Sequence, residues 1–279
     1  MMIAGLAGMC GLAQAAFVTI GNAGNAADPA NGGIYGDVAY TYRISATEVT
    51  IAEFQLATGA GDGDENYWND GSRNVGPNAP VSVVSLYEAR KYCNWLTTGD
   101  VNSGYYGNGG NNMSGLSHDA YATANGLTYF LPTEDEWYKA AYYTGNSGDL
   151  WSLYANGIDT APGIETDSNY GGVGGTYPGT WVVGTGTTEQ NGTYDMMGNL
   201  YEWMETSSGV LRGSSYYNSE YNLRSSIRLS YNPALEDTDV GIRVVAIGVI
   251  PEPASAMLVF FGAGVGLVIH RVRRSALRR

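Results

Sequence analysis

The chain has 279 residues, of which 44% are apolar, so it is long enough to bury a substantial core in one large domain. Its 40 glycines and 22 tyrosines, with only 15% charged residues, argue against disorder and against a helical bundle and indicate a loop-rich body held by aromatic packing. The formal net charge is −13, and residues 16–250 hold nine Lys and Arg against 26 Asp and Glu, a field that disfavours nucleic acid and favours cations as partners.

The first 15 residues have the character of an export signal. They are small and apolar, and Ala13-Gln14-Ala15 fits the A-x-A pattern of a cleavage site. No basic segment precedes them, so the alternatives are a signal that starts upstream of Met1 and a buried N-terminal strand or helix. We expect the signal. Once Cys10 leaves with it, Cys93 remains alone and no intramolecular disulfide can form.

Local patterns then predict two short strands and a first helix. Residues 17–20 and 40–44 have strand character, and the apolar spacing after Val49 predicts a helix that ends at Gly59. Residues 60–80 are rich in Gly, Asp and Asn and are predicted to form a loop, after which PVSVV is predicted to be a strand.

Two further helices each begin with a capping box. Ser85 with Glu88 marks the first, and Thr133 with Glu136 marks the second. The residues expected to face the core are Ala89, Tyr92, Cys93 and Leu96 in the first helix and Trp137, Ala140 and Ala141 in the second. Cys93 is therefore predicted to be a buried, unreactive thiol.

Gly-rich and Asn-rich segments connect these helices to the rest of the chain. Residues 99–126 are predicted to be a surface insertion, and His118 within them is expected to face solvent, which leaves a histidine triad or metal site without support. Residues 144–190 are predicted to be loops fixed in place by Trp151 and Trp181.

The stretch 191–203, NGTYDMMGNLYEW, combines loop-forming and heavily apolar residues, so it is predicted to be a packed loop. A bend at Gly198 could aim Asp195, Glu202 and the carbonyls between them at one point, which is how proteins bind hard cations. The alternative is that both acids pair with arginines such as Arg212 or Arg243. Four arginines of the closing segment are expected to form internal ion pairs with carboxylates: Arg212, Arg224, Arg228 and Arg243.

Five segments resemble, in the same order, the motifs of the sulfatase-modifying factor family, which includes the formylglycine-generating enzymes and their non-catalytic relatives. They are YRISATEVTIAEF, PVSVVSLYEARKYCNWL, LTYFLPTEDEWYKAAYY, YDMMGNLYEW and the closing segment from Arg212 to Val245. The resemblance implies an α+β fold over residues 16–250: a loop-rich single domain, a variant of the C-type lectin fold, with short strands and two main helices. Phe130 and Tyr142 stand where the family usually has arginine, so two of its charge pairs are expected to be missing.

The resemblance also implies calcium. The ligands it implies in the central stretch are the side chains of Asp195 and Glu202 and the carbonyls of Gly198 and Leu200. Asn169 matches a residue that helps the family hold another calcium ion, although the downstream Asp that should accompany it is absent.

Formylglycine generation in this family uses copper held by two cysteine thiolates, which are ligands suited to Cu(I). Here the first position is Asn218 and the second falls at Asn222 or Leu223, so copper is not expected. The iron-dependent relatives take histidines from an extra domain, which we do not expect in this protein. The leading interpretation is an exported, non-catalytic module that binds a carbohydrate, peptide or matrix component. The alternatives are a degenerate or active enzyme of the formylglycine-generating type and a structural component of the extracellular matrix.

The ligand-facing surface is predicted within residues 214–232, where tyrosines alternate with serines and asparagines, the mixture that recognition surfaces favour. The residues predicted to bind the ligand, an exopolysaccharide or an extracellular protein, are Tyr216, Tyr217, Asn218, Tyr221 and Asn222. The alternative is that Tyr and Asn are simply frequent throughout this chain.

The C-terminal segment, residues 251–279, has the order of a sorting signal. Pro251-Glu252-Pro253 precedes 16 residues without a charge, and an arginine cluster follows. The order resembles the PEP-CTERM signal, in which an exosortase-type processing enzyme recognises the Pro-Glu-Pro motif and removes the tail. We therefore expect a transient membrane anchor and a mature protein in the periplasm, on the outer surface or outside the cell.

Overall fold

The computed structural model of the chain describes residues 16–57, 76–145, 150–172 and 179–248. The residues up to Ile247 belong to one compact unit, and a second unit begins at Gly248. The proposed export signal, the Pro251-Glu252-Pro253 motif and the apolar segment after it lie outside the described residues. None of the helices in the described ranges has the length and apolar character that crossing a membrane requires.

Within the described residues, eight short strands form two sheets. The strands are β1 (Phe17–Ile20), β2 (Tyr42–Ser45), β3 (Thr128–Phe130), β4 (Tyr201–Met204), β5 (Val210–Arg212), β6 (Leu229–Ser230), β7 (Val240–Gly241) and β8 (Val245–Ile247). The first sheet has the order β1-β2-β8-β3 and is antiparallel throughout, so it joins the two ends of the domain. The second has the order β6-β5-β4-β7, with β4 and β7 parallel.

Four α-helices accompany the sheets: α1 (Ile51–Phe54), α2 (Leu86–Thr98), α3 (His118–Asn125) and α4 (Glu134–Tyr142). Both predicted capping boxes are confirmed, because Glu88 accepts from the Ser85 amide at 2.9 Å and Glu136 accepts from the Thr133 amide at 2.8 Å. The α+β, loop-rich fold with α2 and α4 as its main helices is likewise confirmed.

Two local predictions were wrong. Helix α1 is a single turn that ends at Phe54 rather than continuing to Gly59, which itself lies outside the described residues. The PVSVV segment forms no strand and makes only an isolated bridge between Thr50 and Pro80. Val83 adopts a positive φ of 58°, which interrupts the extended conformation that the apolar run favours.

The core consists of two clusters, one around α2 and one around α4. Cys93 in α2 is fully buried, as predicted, and burial raises the pKa of its thiol well above the ordinary value. Trp151 is buried against Tyr138 and Tyr143, with ring centroids 5.5 and 5.0 Å apart, so it does fix its loop.

The segment 99–126 is not a simple surface insertion. It contains α3, and three of its ring side chains are buried: Tyr105, Tyr106 and His118. Its expected exposure is seen mainly over residues 111–117 and again over residues 123–126. Sequence composition missed this because the rings that cover these residues come from other segments, such as Phe130 in β3.

Candidate functional site

The central stretch is a tight loop that leads directly into β4. Four of its residues have left-handed backbone conformations: Gly192 (φ 84°), Asp195 (φ 61°), Gly198 (φ 83°) and Asn199 (φ 58°). A Cβ at Gly198 would overlap the backbone carbonyl of Asn169, so only glycine fits there. The loop therefore packs closely against the segment that carries Asn169.

Glu202 leaves this loop on β4 and pairs with Arg243. Both carboxylate oxygens accept from the Arg243 Nε at 3.0 Å, and one of them also accepts from Nη2 at 2.8 Å. The indole nitrogen of Trp137 donates to Glu202 at 2.6 Å. All three side chains are fully buried. Of the alternatives left open by the sequence, pairing with arginine is thus the one that the structure shows for Glu202.

Glu48 holds the middle of the loop, a role that we did not assign from the sequence. Its carboxylate accepts from the Asn199 side-chain amide at 2.7 Å and from the Leu200 backbone amide at 3.1 Å. The side-chain oxygen Oδ1 of Asn199 accepts a hydrogen bond from the side-chain amide of Asn169 at 3.0 Å. In the sequence, the only indication that Glu48 belongs to this site is the Glu-Val-Thr motif that contains it.

Two more carboxylates lie near the loop. Asp195 accepts from the Gly184 amide at 2.7 Å, and Glu189 accepts from the Thr193 hydroxyl at 2.9 Å and from the Met196 amide at 3.3 Å. Burial raises the pKa of Asp195 to about 6 and that of Glu189 to about 8. Both acids are held mainly by neutral donors rather than by arginine.

The calcium ligands implied by the family resemblance fit this geometry unequally. The positive charge of Arg243 neutralises the carboxylate of Glu202. Glu202 therefore does not supply the negative charge that a hard cation needs. The side-chain oxygen of Asn169 is a better match, because it is fully buried and accepts no hydrogen bond. No three His, Cys, Asp or Glu side chains within the described ranges are grouped to hold a metal ion. Calcium stays a prediction.

The predicted recognition segment divides into buried and exposed tyrosines. Tyr217 is 48% exposed and Tyr221 is 59% exposed, whereas Tyr216 is buried. The backbone carbonyl of Asn218 accepts from the Gly171 amide at 2.7 Å, which fixes the segment to a neighbouring loop. Asn222 is half-buried and hydrogen-bonds to Ser219 at 3.2 Å. The Arg224 guanidinium lies over the Tyr221 ring, 5.2 Å from its centre.

The expected internal ion pairs are confirmed for three of the four arginines. Arg212 and Arg228 both contact Glu134, at 2.6 and 2.9 Å, in addition to the Arg243–Glu202 pair. Arg224 instead donates to the Tyr154 hydroxyl at 3.2 Å.

The expectation that His118 faces solvent was wrong. It is only 1% exposed, with Nδ1 3.0 Å from Glu136 and Nε2 2.7 Å from Glu205. Because both ring nitrogens face carboxylate oxygens, both must donate and the ring is a cation. Burial alone lowers the pKa of His118, but the two carboxylates outweigh it and raise the pKa to about 10.

The match to a family model agrees with this geometry. The model of the sulfatase-modifying factor enzyme 1-like domain matches residues 38–247. This range includes the central stretch 191–203, the Arg243–Glu202 pair, His118 with its two glutamates, and the tyrosine-rich segment 214–232. This chain belongs to that family. Comparison with curated proteins found no match.

Three solved structures share the fold of this chain. CarF has a TM-score of 0.57 at 19% identity, over 83% of this chain and 98% of that chain. Treponema denticola variable protein 1 has a TM-score of 0.56 at 24% identity, over 82% and 94%. PvdO from Pseudomonas aeruginosa has a TM-score of 0.50 at 19% identity, over 83% and 91%. At these identities the likeness shows a shared fold.

The positions that the family resemblance assigns to copper can be located in the structure. They are Asn218, which is half-buried, and either Asn222, which is half-buried, or Leu223, which is fully buried in the core. Phe130, where the resemblance implies an arginine, stacks on His118 with centroids 3.9 Å apart, and His118 is the cation beside Glu136. The two missing charge pairs stay a prediction.

Proposed function

We propose that this protein is an exported, non-catalytic member of the sulfatase-modifying factor family that binds an extracellular carbohydrate through the surface around Tyr217 and Tyr221. The observation that carries the proposal is the exposure of these two rings beside the amides of Asn218 and Asn222. Rigid amphipathic rings with small hydrogen-bonding neighbours are typical of recognition surfaces. Peptides and matrix components are the other ligand classes.

The non-catalytic part of the proposal rests on thiol chemistry. Cys93 is the one cysteine within the described ranges and is buried in α2, and the positions that the resemblance assigns to copper are Asn218 and either Asn222 or Leu223. An amide or an alkyl side chain cannot replace a thiolate as a Cu(I) ligand. A peptide with a sulfatase-type cysteine motif, incubated with the protein, copper and oxygen, is expected to give no aldehyde above background. Enzyme-dependent aldehyde would contradict the proposal.

The binding surface is tested by the double variant Tyr217→Ala, Tyr221→Ala. Affinity for exopolysaccharide from the native host, measured by calorimetry or pull-down, is expected to fall by about 2 kcal/mol, the scale of an interface hot spot. Ile34→Ala is a matched control, since Ile34 is 65% exposed and lies outside this surface. Unchanged binding in a folded double variant would move the site elsewhere, first to the exposed part of 99–126.

Calcium binding is part of the same proposal, at two separate sites: one with Asp195 and the carbonyls of Gly198 and Leu200, and one with Asn169. The buried, unpartnered oxygen of Asn169 is the supporting observation. Because a ligand stabilises the state that binds it, millimolar calcium is expected to raise the melting temperature and EDTA to lower it. Asp195→Ala and Asn169→Ala should each remove the part of the response that comes from its own site, and the two changes together should abolish it. A melting temperature that neither treatment changes would remove calcium from the proposal.

Export and tail removal are inferred from the terminal segments of the sequence. An exosortase-type enzyme would cut after Pro251-Glu252-Pro253 and release the domain from its transient membrane anchor. Intact-mass measurement of the protein from its native host is expected to show loss of the segment from about Ala254 onward, whereas a full-length mass would contradict this step.

A further inference from the structure

Arg224 lies beside the proposed carbohydrate surface, and it differs from the other three arginines of the closing segment. Each of those three pairs with a glutamate, whereas Arg224 forms no ion pair within the described residues. Its side chain is half-buried. A guanidinium stays charged at every pH that a protein meets, so Arg224 offers a positive charge to a ligand at this surface.

Two contacts orient the Arg224 side chain. Its Nε donates to the hydroxyl of Tyr154 at 3.2 Å, and Tyr154 is only 2% exposed. The Tyr154 hydroxyl in turn donates to Glu220 at 3.2 Å. The guanidinium lies over the ring of Tyr221, 5.2 Å from its centre. Arg224 is therefore anchored to a buried hydroxyl through Nε and packed on an aromatic ring through one face.

The two terminal nitrogens of the Arg224 guanidinium are unused. Neither Nη1 nor Nη2 has a hydrogen-bond partner within the described residues, and both are open to solvent. The planar guanidinium presents its N–H groups as a fork that matches the two oxygens of a carboxylate. Because Arg224 is oriented before a ligand arrives, binding orders it less than it would order a mobile surface arginine.

The side chains around Arg224 are suited to a sugar chain that carries such a carboxylate. Tyr217 and Tyr221 are exposed, and tyrosine rings provide flat apolar faces against which the C–H face of a sugar ring packs. The half-buried amides of Asn218 and Asn222 lie in the same segment and can hydrogen-bond to sugar hydroxyls. The surface therefore combines one cation with neutral recognition groups.

The charge of the whole domain limits how acidic the ligand can be. Residues 16–250 hold nine Lys and Arg against 26 Asp and Glu, and Glu220 lies close enough to Arg224 to act on its charge. This field repels a polymer with a negative charge on every sugar. A single carboxylate in contact with Arg224 gains a short-range attraction that the distant charges oppose only weakly.

We infer that the carbohydrate bound at this surface contains isolated uronic acid residues, with the carboxylate of one residue bound by the terminal nitrogens of Arg224 and neutral neighbouring sugars packed on the exposed tyrosine rings. The inference rests on the proposed carbohydrate-binding function and narrows the class of its ligand. Tyr154 is a positioning residue in this arrangement, because it contacts Arg224 rather than the ligand.

Two tetrasaccharides serve as probes: one has a single glucuronate among three glucose residues, and the other is its methyl ester, which has nearly the same shape without the charge. NMR titration at low ionic strength measures their affinities. Wild-type protein is expected to bind the acid about fivefold more tightly than the ester, the upper range for a partly exposed ion pair. Arg224→Gln should make the two affinities equal.

Two further variants test the orientation of the guanidinium. Arg224→Lys keeps the charge but loses the planar fork, so the preference for the acid should fall to about twofold. Tyr154→Phe removes only the hydroxyl that holds Nε, and it should also lower the preference to about twofold while leaving affinity for the ester unchanged. A full fivefold preference in both variants would contradict the inference.

Lys91→Gln is the charge-matched control, because it removes one positive charge from α2, outside residues 214–232. If it abolishes the preference for the acid as Arg224→Gln does, overall charge explains the result and the inference is wrong. Equal affinity of wild-type protein for acid and ester overturns the inference, and so does a failure to bind the acid.

The double variant Tyr217→Ala, Tyr221→Ala distinguishes failure of the inference from failure of the proposed function. If wild-type protein binds acid and ester equally and the double variant binds both more weakly, the carbohydrate surface stands and the uronic acid is wrong. If the double variant binds both as tightly as wild type does, the proposed surface fails, and the inference fails with it.

Discussion

Two buried groups of charged side chains lie in this domain, and they balance their charges in different ways. In the Arg243 cluster, one arginine pairs with Glu202 while Glu48, Asp195 and Glu189 lie nearby and accept mainly from amides and a hydroxyl. Arg243 also donates to the backbone carbonyls of Ser45, at 2.8 Å, and Tyr194, at 2.7 Å. It therefore connects strand β2 to the central stretch.

In the His118 cluster, one imidazolium lies between Glu136 and Glu205, and a tyrosine hydroxyl donates a hydrogen bond to each carboxylate. Tyr106 donates to Glu205 at 2.5 Å, and Tyr40 donates to Glu136 at 2.9 Å. This cluster has two carboxylates for one cation, and the tyrosine hydroxyls stabilise both carboxylates as neutral donors. The Arg243 cluster has four carboxylates for one cation, so it depends more strongly on its one arginine and on pH.

The largest expected effect is the loss of Arg243. Arg243→Met leaves buried Glu202 without its cation, and breaking a buried pair from one side costs about 3–5 kcal/mol of unfolding free energy. Urea unfolding would measure it. The double variant Arg243→Met, Glu202→Leu should recover much of the loss, and a double variant less stable than the single one would contradict this account.

Loss of His118 is expected to cost somewhat less, about 3 kcal/mol for His118→Leu, because the tyrosine hydroxyls remain on both carboxylates. The folded-state pKa of His118 is about 10, above its ordinary 6.5, so its stabilisation is complete below pH 6.5 and is lost as pH rises through 10. The difference in unfolding free energy between wild type and variant should therefore shrink over that range. A difference independent of pH would show that His118 contributes by packing alone.

The next prediction concerns pH and the excess carboxylates. Burial raises the pKa of Glu189 from 4.5 to about 8, so the folded state retains a proton that the unfolded chain releases. Its contribution to stability is present below pH 4.5 and is lost as pH rises through 8. Wild-type stability relative to Glu189→Gln should fall by about 1 kcal/mol or more over this window, the linkage of a single pKa unit. Parallel stability curves for the two proteins would contradict the assignment.

The smallest expected effect compares the two capping boxes. Ser85→Ala should cost about 1 kcal/mol as an ordinary cap loss. Thr133→Ala should cost less, since His118 continues to hold Glu136 against the Thr133 amide. Combining each change with His118→Leu should give additive losses for Ser85→Ala and non-additive ones for Thr133→Ala. If the stability losses were additive in both pairs, the Thr133 cap would be energetically independent of the His118 cluster, which would contradict this prediction.

Much of the fold could be predicted because its signals are local. The capping boxes at Ser85 and Thr133 each involve residues three positions apart, and the burial of Cys93 follows from helical spacing. The central loop was recognisable from its glycines and its bulky apolar residues. Local patterns failed where a conformation is imposed from outside, as in the one-turn helix α1.

The candidate site depended on contacts between distant segments. Glu48 and Asn199 are 151 residues apart, and His118 and Glu205 are 87 apart, so no periodicity connects them. The sequence by itself determined the family, the order of the elements and the presence of acids near Asp195. Only the tertiary structure decided that Glu202 pairs with Arg243 and that His118 is a buried cation. The reason is physical: the charge state and partners of a buried group are set by whatever the fold packs against it.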